Sequence, residues 1–282
     1  MKTACEPLSP DAIRTHLQSE IRDMRLECHE HALSTNDIAH QYILQSEPDT
    51  FLAVLAEEQA GGRGRRGRTW HSPPGTGLLM STAMSFASPA AVRFEEWPLL
   101  AALAVREAIA DFVAAPVQIK WPNDVLMGGK KVCGILTELG SHPYGRCLII
   151  GFGVNVSSDP ADFPADLQDR ATSIWSAAGQ LCDRNQLAAA TLNQMQRVRM
   201  DCHDGRCFAD RHGEWLMHCN TPGQYVRVQQ GKDMFEGVAE RIDERGTLHI
   251  VTGDGKRREI VSGEIVESCP GPHFPTEGAD NT

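Results

Sequence analysis

One short segment limits what this chain can fold into more than any other: GGRGRRGRTW, at residues 61–70. Its glycines satisfy the G-x-G-x-x-G pattern of dinucleotide-binding turns, and the preceding residues Phe51–Glu58 read as a strand. A Rossmann turn also requires a helix directly after the glycines. The residues that follow include Pro73 and Pro74, which oppose a helix there. The segment is therefore predicted to be a glycine-rich loop outside the Rossmann class.

Four arginines within six residues of this loop indicate that it binds an anion. Nucleic acid is one candidate, but the chain has 27 Lys and Arg against 37 Asp and Glu, a formal net charge of -10. Most of the surface would therefore repel a polyanion. The interpretation that we favour is a mobile cationic loop that closes over a small phosphorylated species, because glycines let the backbone approach a ligand closely.

Size and composition set the broad class. A chain of 282 residues with 41% hydrophobic content can bury one core and a smaller second unit. No apolar run is long enough to cross a bilayer, and the N-terminal residues lack the apolar region of a signal peptide. We therefore expect a cytoplasmic protein whose nine cysteines are reduced thiols. The Cys and His residues between 202 and 219 lack paired C-x-x-C spacing, so we assign no metal to them.

The order of apolar patterns predicts the fold class. Strands are expected at 51–58, 77–86, 131–139 and 147–156, with the last two forming an antiparallel hairpin, and a long helix is expected at 94–113. Helices and strands mix without regular βαβ alternation, so the class is α+β with a central, mostly antiparallel sheet and flanking helices. Short strands and turns after Pro222 predict a small SH3-like β-barrel. The predicted units are an N-terminal helical extension (1–30), a ligand-binding catalytic domain (31–220), the SH3-like domain (221–268) and a disordered tail (269–282).

Three further segments carry polar residues that packing alone does not require. KWPND, at residues 120–124, contains Asn123 and Asp124 in a Trp-Pro turn before a strand. GFGVNV, at residues 151–156, places Asn155 on the same strand face as Gly151 and Gly153. LSTND, at residues 33–37, offers three small hydrogen-bonding side chains, for which an ordinary helix cap is the competing interpretation.

Taken in order, these motifs resemble the biotin protein ligases, the biotin–[acetyl-CoA-carboxylase] ligase family. The resemblance runs from about residue 30 to residue 268 and rests above all on the combination of GRGRRGR with KWPND. It implies a class II synthetase-like catalytic core and a two-step reaction. Biotin and ATP, with Mg²⁺, would form biotinyl-5′-adenylate, and a lysine of a biotin carboxyl carrier domain would then attack this mixed anhydride. The anion of the arginine-rich loop would be the acyl-phosphate.

The resemblance also assigns roles to individual residues. The biotin ureido ring and nearby polar groups would be bound by Ser34, Thr35, Asn36 and Gln59. The biotin carboxylate and the α-phosphate would be bound by Arg63, Gly64, Arg65 and Lys131. ATP would be bound by Arg65, Arg68, Trp70, Lys120, Asn123 and Asn155, with Trp70 stacked on adenine. The catalytic set would be Lys131, Arg65, Arg63 and Asp124, where Asp124 is either a Mg²⁺ ligand or a base for the incoming lysine.

Two departures from the family pattern are visible. Leu33 stands where an acidic residue is often found, which is expected to affect only the entrance to the site. Phe152 stands where a small residue is often found, and it is expected to narrow the pocket.

A lipoate or octanoate ligase or transferase is the nearest rival, since it shares the core fold. A biotin-responsive DNA regulator would need a reading head for which residues 1–30 leave too little room, so we expect no specific DNA binding and no membrane association. A weak homodimer is compatible with the resemblance.

Overall fold

The structure, a computed structural model, describes residues 6–89 and 92–271. Within these ranges the chain forms a seven-stranded sheet, a five-stranded sheet and six α-helices. The strands are β1 (Arg25–Ala32), β2 (Phe51–Gln59), β3 (Gly77–Phe86), β4 (Val117–Lys120), β5 (Asp124–Met127), β6 (Lys130–His142), β7 (Gly145–Asn155), β8 (Gln224–Gln230), β9 (Asp233–Ile242), β10 (Leu248–Val251), β11 (Arg257–Ile260) and β12 (Glu264–Pro270). The helices are α1 (Pro10–Arg14), α2 (Thr35–Ile43), α3 (Trp97–Ala110), α4 (Ile174–Ala178), α5 (Arg184–His203) and α6 (Phe208–His218).

The large sheet has the strand order β1-β2-β3-β7-β6-β5-β4. Only β1 and β2 run parallel in it, and every other neighbouring pair is antiparallel. The C-terminal residues form a second sheet of order β11-β10-β9-β8-β12, entirely antiparallel. The predicted α+β class, with a mostly antiparallel central sheet and a small C-terminal β unit, is confirmed. None of the helices in the described ranges is long and apolar enough to cross a membrane.

Helices cover both faces of the large sheet, and the two faces differ in chemistry. Helices α3 and α5 pack on one face over an extensive apolar core that includes Ala53, Leu55 and Met80. The opposite face is covered by α2, which buries Ala39 and Ile43. Because strand residues alternate between faces, the α2 face also carries the small and polar residues of β3, β6 and β7. It is the face on which the candidate site lies.

Within the predicted helical extension over residues 1–30, the structure shows short helical segments at 10–14 and 19–21 and a strand at its end. Ser9 caps α1 as expected, accepting a hydrogen bond from the Ala12 amide (3.4 Å), but this helix is only five residues long. Residues 25–32 form β1, which pairs in parallel with β2 at the edge of the large sheet. Its sequence, RLECHEHA, buries only Leu26 and Ala32, so the two-residue period of a half-buried strand is hidden in the sequence.

The C-terminal boundary also needs one adjustment. Helix α6 ends at His218 and β8 begins at Gln224. The predicted boundary between residues 220 and 221 therefore falls in the connection between these two elements. Strand β12 extends to Pro270, two residues into the predicted disordered tail. The rest of that predicted tail, residues 272–282, lies outside the described residues.

Candidate active site

Three glycines form the floor of a site on the α2 face of the large sheet. Gly134 on β6 and Gly153 on β7 are paired across the two strands, and Gly151 follows on the same face. A Cβ at Gly134 would lie 2.8 Å from the Trp70 indole, and a side chain at Gly153 would collide with the same ring. A side chain at Gly151 would collide with the amide of Asn36. This glycine floor therefore admits Trp70 and Asn36 against the sheet, as the predicted shared face of Gly151, Gly153 and Asn155 implies.

A network of hydroxyls and amides lies at the start of α2. The carboxamide oxygen of Gln59 accepts hydrogen bonds from the Thr35 amide (2.7 Å) and from the Thr35 hydroxyl (3.1 Å). The Thr35 hydroxyl also lies 2.7 Å from the Ser81 hydroxyl on β3, which in turn donates to Asn36 Oδ1 at 2.6 Å. Ser34, Thr35, Asn36 and Ser81 are all buried. A buried, mutually hydrogen-bonded polar set of this kind is suited to a small polar ring.

Ser34 occupies the N-cap position of α2, but its side chain makes no capping hydrogen bond. Its backbone is extended, and the side chain is 4% exposed. The helix-cap interpretation of the STN motif therefore explains where Ser34 lies but not the use of its hydroxyl, which is left available to a ligand.

The arginine loop, residues 61–70, is a folded turn. The Trp70 amide donates to the Gly62 carbonyl at 2.9 Å, and the Gly64 amide donates to the Arg68 carbonyl at 2.6 Å. At its tip Arg66 has a left-handed backbone (φ 58°), a conformation that non-glycine residues adopt at a cost. The Arg63 side chain extends toward α2 and β6, whereas the other three arginine side chains extend toward the C-terminal sheet.

Arg63 points toward α2 and β6. Its guanidinium donates two hydrogen bonds to the Asp37 carboxylate (2.6 and 2.8 Å) and lies 3.4 Å from the Glu138 carboxylate. The hydrogen bonds to Asp37 hold the pKa of Arg63 above its ordinary value, and the bond from Arg63 holds the pKa of Asp37 below its own. Arg63 is therefore fully charged and paired on this side of the site.

The other three arginines reach the C-terminal sheet, β8–β12. Arg65 donates to the Gly263 carbonyl (2.9 Å) and to Asn123 Oδ1 (3.1 Å), and burial lowers its pKa. Arg66 donates to the Gln229 carbonyl at 2.6 Å, and Arg68 forms an ion pair with Glu264. The C-terminal sheet thus forms one wall of the site and supports the outer half of the arginine loop.

Lys131 and Asp124 form an ion pair at the edge of the glycine floor, with Nζ and Oδ1 separated by 2.5 Å. A Cβ on Gly134 would lie 2.9 Å from the same Nζ, so the ammonium lies over the floor. Lys120 is close to this pair, and burial lowers its pKa. The turn before Asp124 contains a cis Trp121–Pro122 bond, and Asn123 behind it donates to the Ile135 carbonyl at 2.6 Å. Both ends of the Asn123 amide are therefore held by the protein.

Among the described residues, a polar atom of Asn155 and one of Trp70 are buried at the site without a hydrogen-bond partner. Asn155 donates through Nδ2 to the Thr172 carbonyl at 3.0 Å, while its Oδ1 is buried without a hydrogen bond. The Trp70 indole Nε1 is likewise buried and unpartnered. Buried polar groups are nearly always hydrogen-bonded, so an acceptor and a donor beside the glycine floor indicate a place for a polar ligand.

Of the residues assigned by the resemblance, Asn36, Trp70 and Lys131 lie against the glycine floor, and Arg63, Gly64, Arg65 and Arg68 belong to the arginine loop. Four residues that sequence reasoning did not single out join them: Asp37, Ser81, Glu138 and Glu264. A fifth, Arg170, approaches Lys131, whose amide donates to the Arg170 carbonyl at 2.8 Å. For Ser81 and Glu138 the available signal was a polar residue at an inward position of a strand. Glu264 gave no local signal, since its contact spans 196 residues.

The expectation that Phe152 narrows the pocket is wrong. Strand alternation turns Phe152 away from Gly151 and Gly153, and the ring is buried in the apolar core under α3. Leu33, the other departure, is 67% exposed and lies beside Gly61, where a Cβ would come within 2.8 Å of its side chain. It therefore lines the outer surface next to the arginine loop.

Comparisons with known proteins agree with this geometry. The Biotin/lipoate A/B protein ligase family matches residues 30–155, and the Biotin protein ligase C terminal domain matches residues 221–266. The Bifunctional ligase/repressor BirA of Bacillus subtilis (strain 168) is 35% identical over 271 residues, covering 92% of this chain and 78% of that protein. The Biotin--[acetyl-CoA-carboxylase] ligase of Paracoccus denitrificans is 35% identical over 223 residues, covering 75% of this chain and 88% of that protein.

A solved structure extends the similarity to three dimensions. The biotin protein ligase from Aquifex aeolicus in complex with biotin and ATP is 27% identical with a TM-score of 0.73, covering 88% of this chain and 99% of that one. The similarity covers most of both chains, and the first family match includes both the arginine loop and the glycine floor. The chain belongs to the biotin protein ligase family.

Proposed function

We propose that this protein joins biotin to a lysine of a biotin carboxyl carrier domain in two steps. In the first, a biotin carboxylate oxygen attacks the α-phosphorus of ATP, the bond to the β-phosphate oxygen breaks, and pyrophosphate leaves. In the second, the lysine amine attacks the acyl carbon of biotinyl-5′-adenylate and AMP leaves. The relative from Paracoccus denitrificans is named for acetyl-CoA carboxylase, and the relative from Aquifex aeolicus was solved with biotin and ATP.

One observation carries this proposal: a site for a polar ring and a cluster of cations meet on one glycine floor. The hydroxyl network of Thr35 and Ser81 lies at one end, and Lys131 and Arg65 lie toward the other. Biotinyl-5′-adenylate has a matching sequence of groups, with a ureido ring at one end followed by the carboxyl-phosphate that joins it to adenosine. The arrangement is therefore complementary to the intermediate rather than to a single substrate.

The cations of the site would reduce the electrostatic repulsion between the two substrates in the first step. A carboxylate approaching a triphosphate brings two anions together, and charge then moves to the departing pyrophosphate. Lys131 over the floor supplies positive charge where the two anions meet, and Arg65 and Arg68 supply it from the arginine loop. Fixed cations in a half-buried site stabilise such charge without reorganising during the reaction.

The nucleotide base fits the unpartnered atoms of the site. Asn155 Oδ1, buried without a donor, can accept from the exocyclic amine of adenine, and the Trp70 ring can stack on the base. Lys120 would contribute to phosphate binding from the neighbouring strand. Asn123 acts differently, because both ends of its amide are engaged, and its role is to hold Arg65.

Asp124 is suited to contact either Mg²⁺ or the incoming amine. Mg²⁺ in phosphoryl-transfer sites commonly uses one or two carboxylates together with substrate phosphates, and Asp124 is a partly exposed carboxylate beside the cation cluster. When bound, Mg²⁺ would offset charge on the phosphates. In the second step the amine must lose a proton, and Asp124, held 2.5 Å from Lys131, lies beside the reacting groups.

The proposal is tested by measuring both steps separately. Biotin-dependent pyrophosphate release with ATP and Mg²⁺, without any acceptor, reports the first step. Transfer of labelled biotin to a biotin carboxyl carrier domain, with the same domain carrying arginine in place of its acceptor lysine as control, reports the second. Pyrophosphate release that does not require biotin, or no label on the lysine-containing domain while a known ligase labels it, would refute the proposal.

A further inference from the structure

Two cysteines that the proposed reaction does not use line one cavity on the side of the molecule where α3 and α5 pack. The cavity, of about 170 Å³, lies where α5 meets α6, and Cys202 and Cys207 line it together with Leu100 of α3 and Val198 of α5. Both cysteines are free thiols and both are partly exposed. Small reagents in solvent can therefore reach this pair of thiols.

The turn between α5 and α6 brings the backbone beside the two cysteines together. The Arg206 amide donates to the Asp201 carbonyl at 2.9 Å, and the two side chains form an ion pair at 2.7 Å. Gly205 takes the left-handed backbone (φ 78°) with which helices commonly end in such a turn. The hydrogen bond joins the residue before Cys202 to the residue before Cys207. It therefore favours the short separation of Cα atoms, below about 7 Å, that a disulfide requires.

The two thiols differ in their surroundings. Burial, Glu96 and Asp201 raise the pKa of Cys202 to about 12, and the nearby Cys207 thiol acts in the same direction. Only the thiolate attacks a disulfide, so Cys202 is protonated and slow toward an external reagent at neutral pH. Cys207, the N-cap residue of α6, is the member of the pair left to react first.

We propose that Cys202 and Cys207 form a thiol–disulfide exchange site that reacts with low-molecular-weight disulfides such as oxidised glutathione. Cys207 Sγ attacks one sulfur of the external disulfide, whose S–S bond breaks, and the first glutathione leaves with the Cys207 proton. Cys202 Sγ then attacks Cys207 Sγ, the mixed S–S bond breaks, and the second glutathione leaves with the Cys202 proton. Proximity to the mixed disulfide offsets the low thiolate fraction of Cys202 in this step.

The external disulfide is thereby reduced to two thiols, and the protein gains one disulfide that joins the end of α5 to the start of α6. This site does not depend on the proposed function, because none of its residues belongs to the arginine loop or the glycine floor.

The sequence around the pair allows its oxidation to be measured by mass spectrometry. Trypsin cleaves after Arg199, Arg206 and Arg211, so each cysteine falls on its own peptide, MDCHDGR (200–206) and CFADR (207–211). The reduced full-length protein is incubated with oxidised glutathione near neutral pH, and free thiols are then blocked in acid before digestion. Linked peptides report the internal disulfide, and a glutathione mass on one peptide reports the mixed disulfide.

The variants Cys202→Ser and Cys207→Ser separate the two steps, and Cys28→Ser is the matched control. Burial raises the pKa of Cys28 to about 12 as well, but this thiol lies on β1. In the wild type and the control, the Cys202–Cys207 linkage should exceed every other cysteine linkage by roughly 10-fold or more. Cys202→Ser should accumulate glutathione on peptide 207–211, and Cys207→Ser should leave peptide 200–206 unmodified over the same time.

A mixed disulfide that persists in the wild type, two cysteines that stay reduced, or linkages spread over other cysteines would each overturn the inference. Glutathione on Cys202 in Cys207→Ser at the wild-type rate would overturn it as well. Circular dichroism checks the fold of each variant, and the wild-type linkages decide if a variant does not fold. The peptide masses do not depend on ligase activity, so a protein that transfers no biotin would refute the proposed function alone.

Discussion

The Lys131 ammonium lies over the glycine floor and is paired with Asp124, close to where carboxylate and phosphate would meet. Its neighbour Lys130 has the same chemistry, but its ammonium donates to the Gln168 carbonyl on the outside of the strand. Strand alternation separates the two lysines onto different sides. Substituting each lysine in turn therefore tests the effect of its position, because the two side chains are identical.

Lys131→Ala is expected to slow biotin-dependent pyrophosphate release by roughly 100- to 1,000-fold, the cost typical of removing one preorganised charge-stabilising group. Lys130→Ala should remain near the wild-type rate. The measurement is the steady-state rate of pyrophosphate release at saturating biotin and ATP, with the thermal unfolding of each variant as a check of the fold. Equal rates for the two alanine variants would remove Lys131 from the site.

Arg65 is expected to retain the adenylate as well as to assist its formation, because hydrogen bonds to Asn123 and to the Gly263 carbonyl fix its guanidinium beside the site. Arg65→Gly should still form some adenylate but release it early, since losing a charge-assisted contact mainly raises the dissociation rate. Free adenylate acylates exposed lysines, so the ratio of bystander-protein label to carrier-domain label should rise by roughly 10-fold or more.

The matched control for that ratio is Arg66→Gly. Arg66 belongs to the same loop, but its guanidinium reaches the Gln229 carbonyl on the C-terminal sheet, and glycine accepts its left-handed backbone. Its labelling ratio should stay at the wild-type value. A ratio that does not change in Arg65→Gly, or that rises equally in Arg66→Gly, would argue against a retention role for Arg65.

At the scale of elements, sequence patterns predicted the strands at 51–58 and 77–86 and the hairpin of β6 and β7 well, because each has a clear apolar run bounded by turn residues. The prediction failed at β1, an edge strand whose polar sequence hides its period. At the site, the resemblance supplied the residues of the motifs, and alternation correctly grouped Asn155 with Gly153. It could not supply Glu138 or Glu264, since their roles arise from contacts between elements far apart in sequence.

The interface of α3 and α6 carries an ionisable group with an unusual titration. Burial and a hydrogen bond with Glu214 raise the pKa of Glu107 to about 7, while Arg211 donates to the Glu107 carboxylate at 2.8 Å. A carboxyl whose pKa is raised by folding stabilises the fold below its unfolded pKa, and this contribution is lost as the pH rises through about 7. Raising the pH through neutrality should therefore weaken this interface.

Glu107→Gln tests that expectation, because glutamine imitates the protonated acid at every pH. The free energy of unfolding, measured by urea denaturation from about pH 5 to about pH 8, should fall with pH in the wild type and fall less steeply in the variant. The same slope in both proteins would show that Glu107 titrates normally in the folded state.

At the scale of the whole molecule, the two sheets act together on one loop. The large sheet supplies the glycine floor and the α2 network, and the C-terminal sheet receives Arg65, Arg66 and Arg68. A role for the C-terminal sheet in the site could not be predicted from the sequence, since nothing local to residues 224–270 indicates a contact with residues 61–70. The structure thereby makes the C-terminal sheet part of the site rather than an appended unit.

We propose that the polar network of Thr35, Ser81 and Gln59 selects a ureido ring over the apolar ring of lipoate, although the matching family includes ligases for both. The most direct measurement is competition: the protein, ATP and Mg²⁺ with equal biotin and lipoate, and with both a biotin carboxyl carrier domain and a lipoyl domain. Mass spectrometry of the two domains then reports which lysine receives which acid. We predict biotin on the carrier domain alone, whereas lipoate on either domain at a comparable rate would contradict this selectivity.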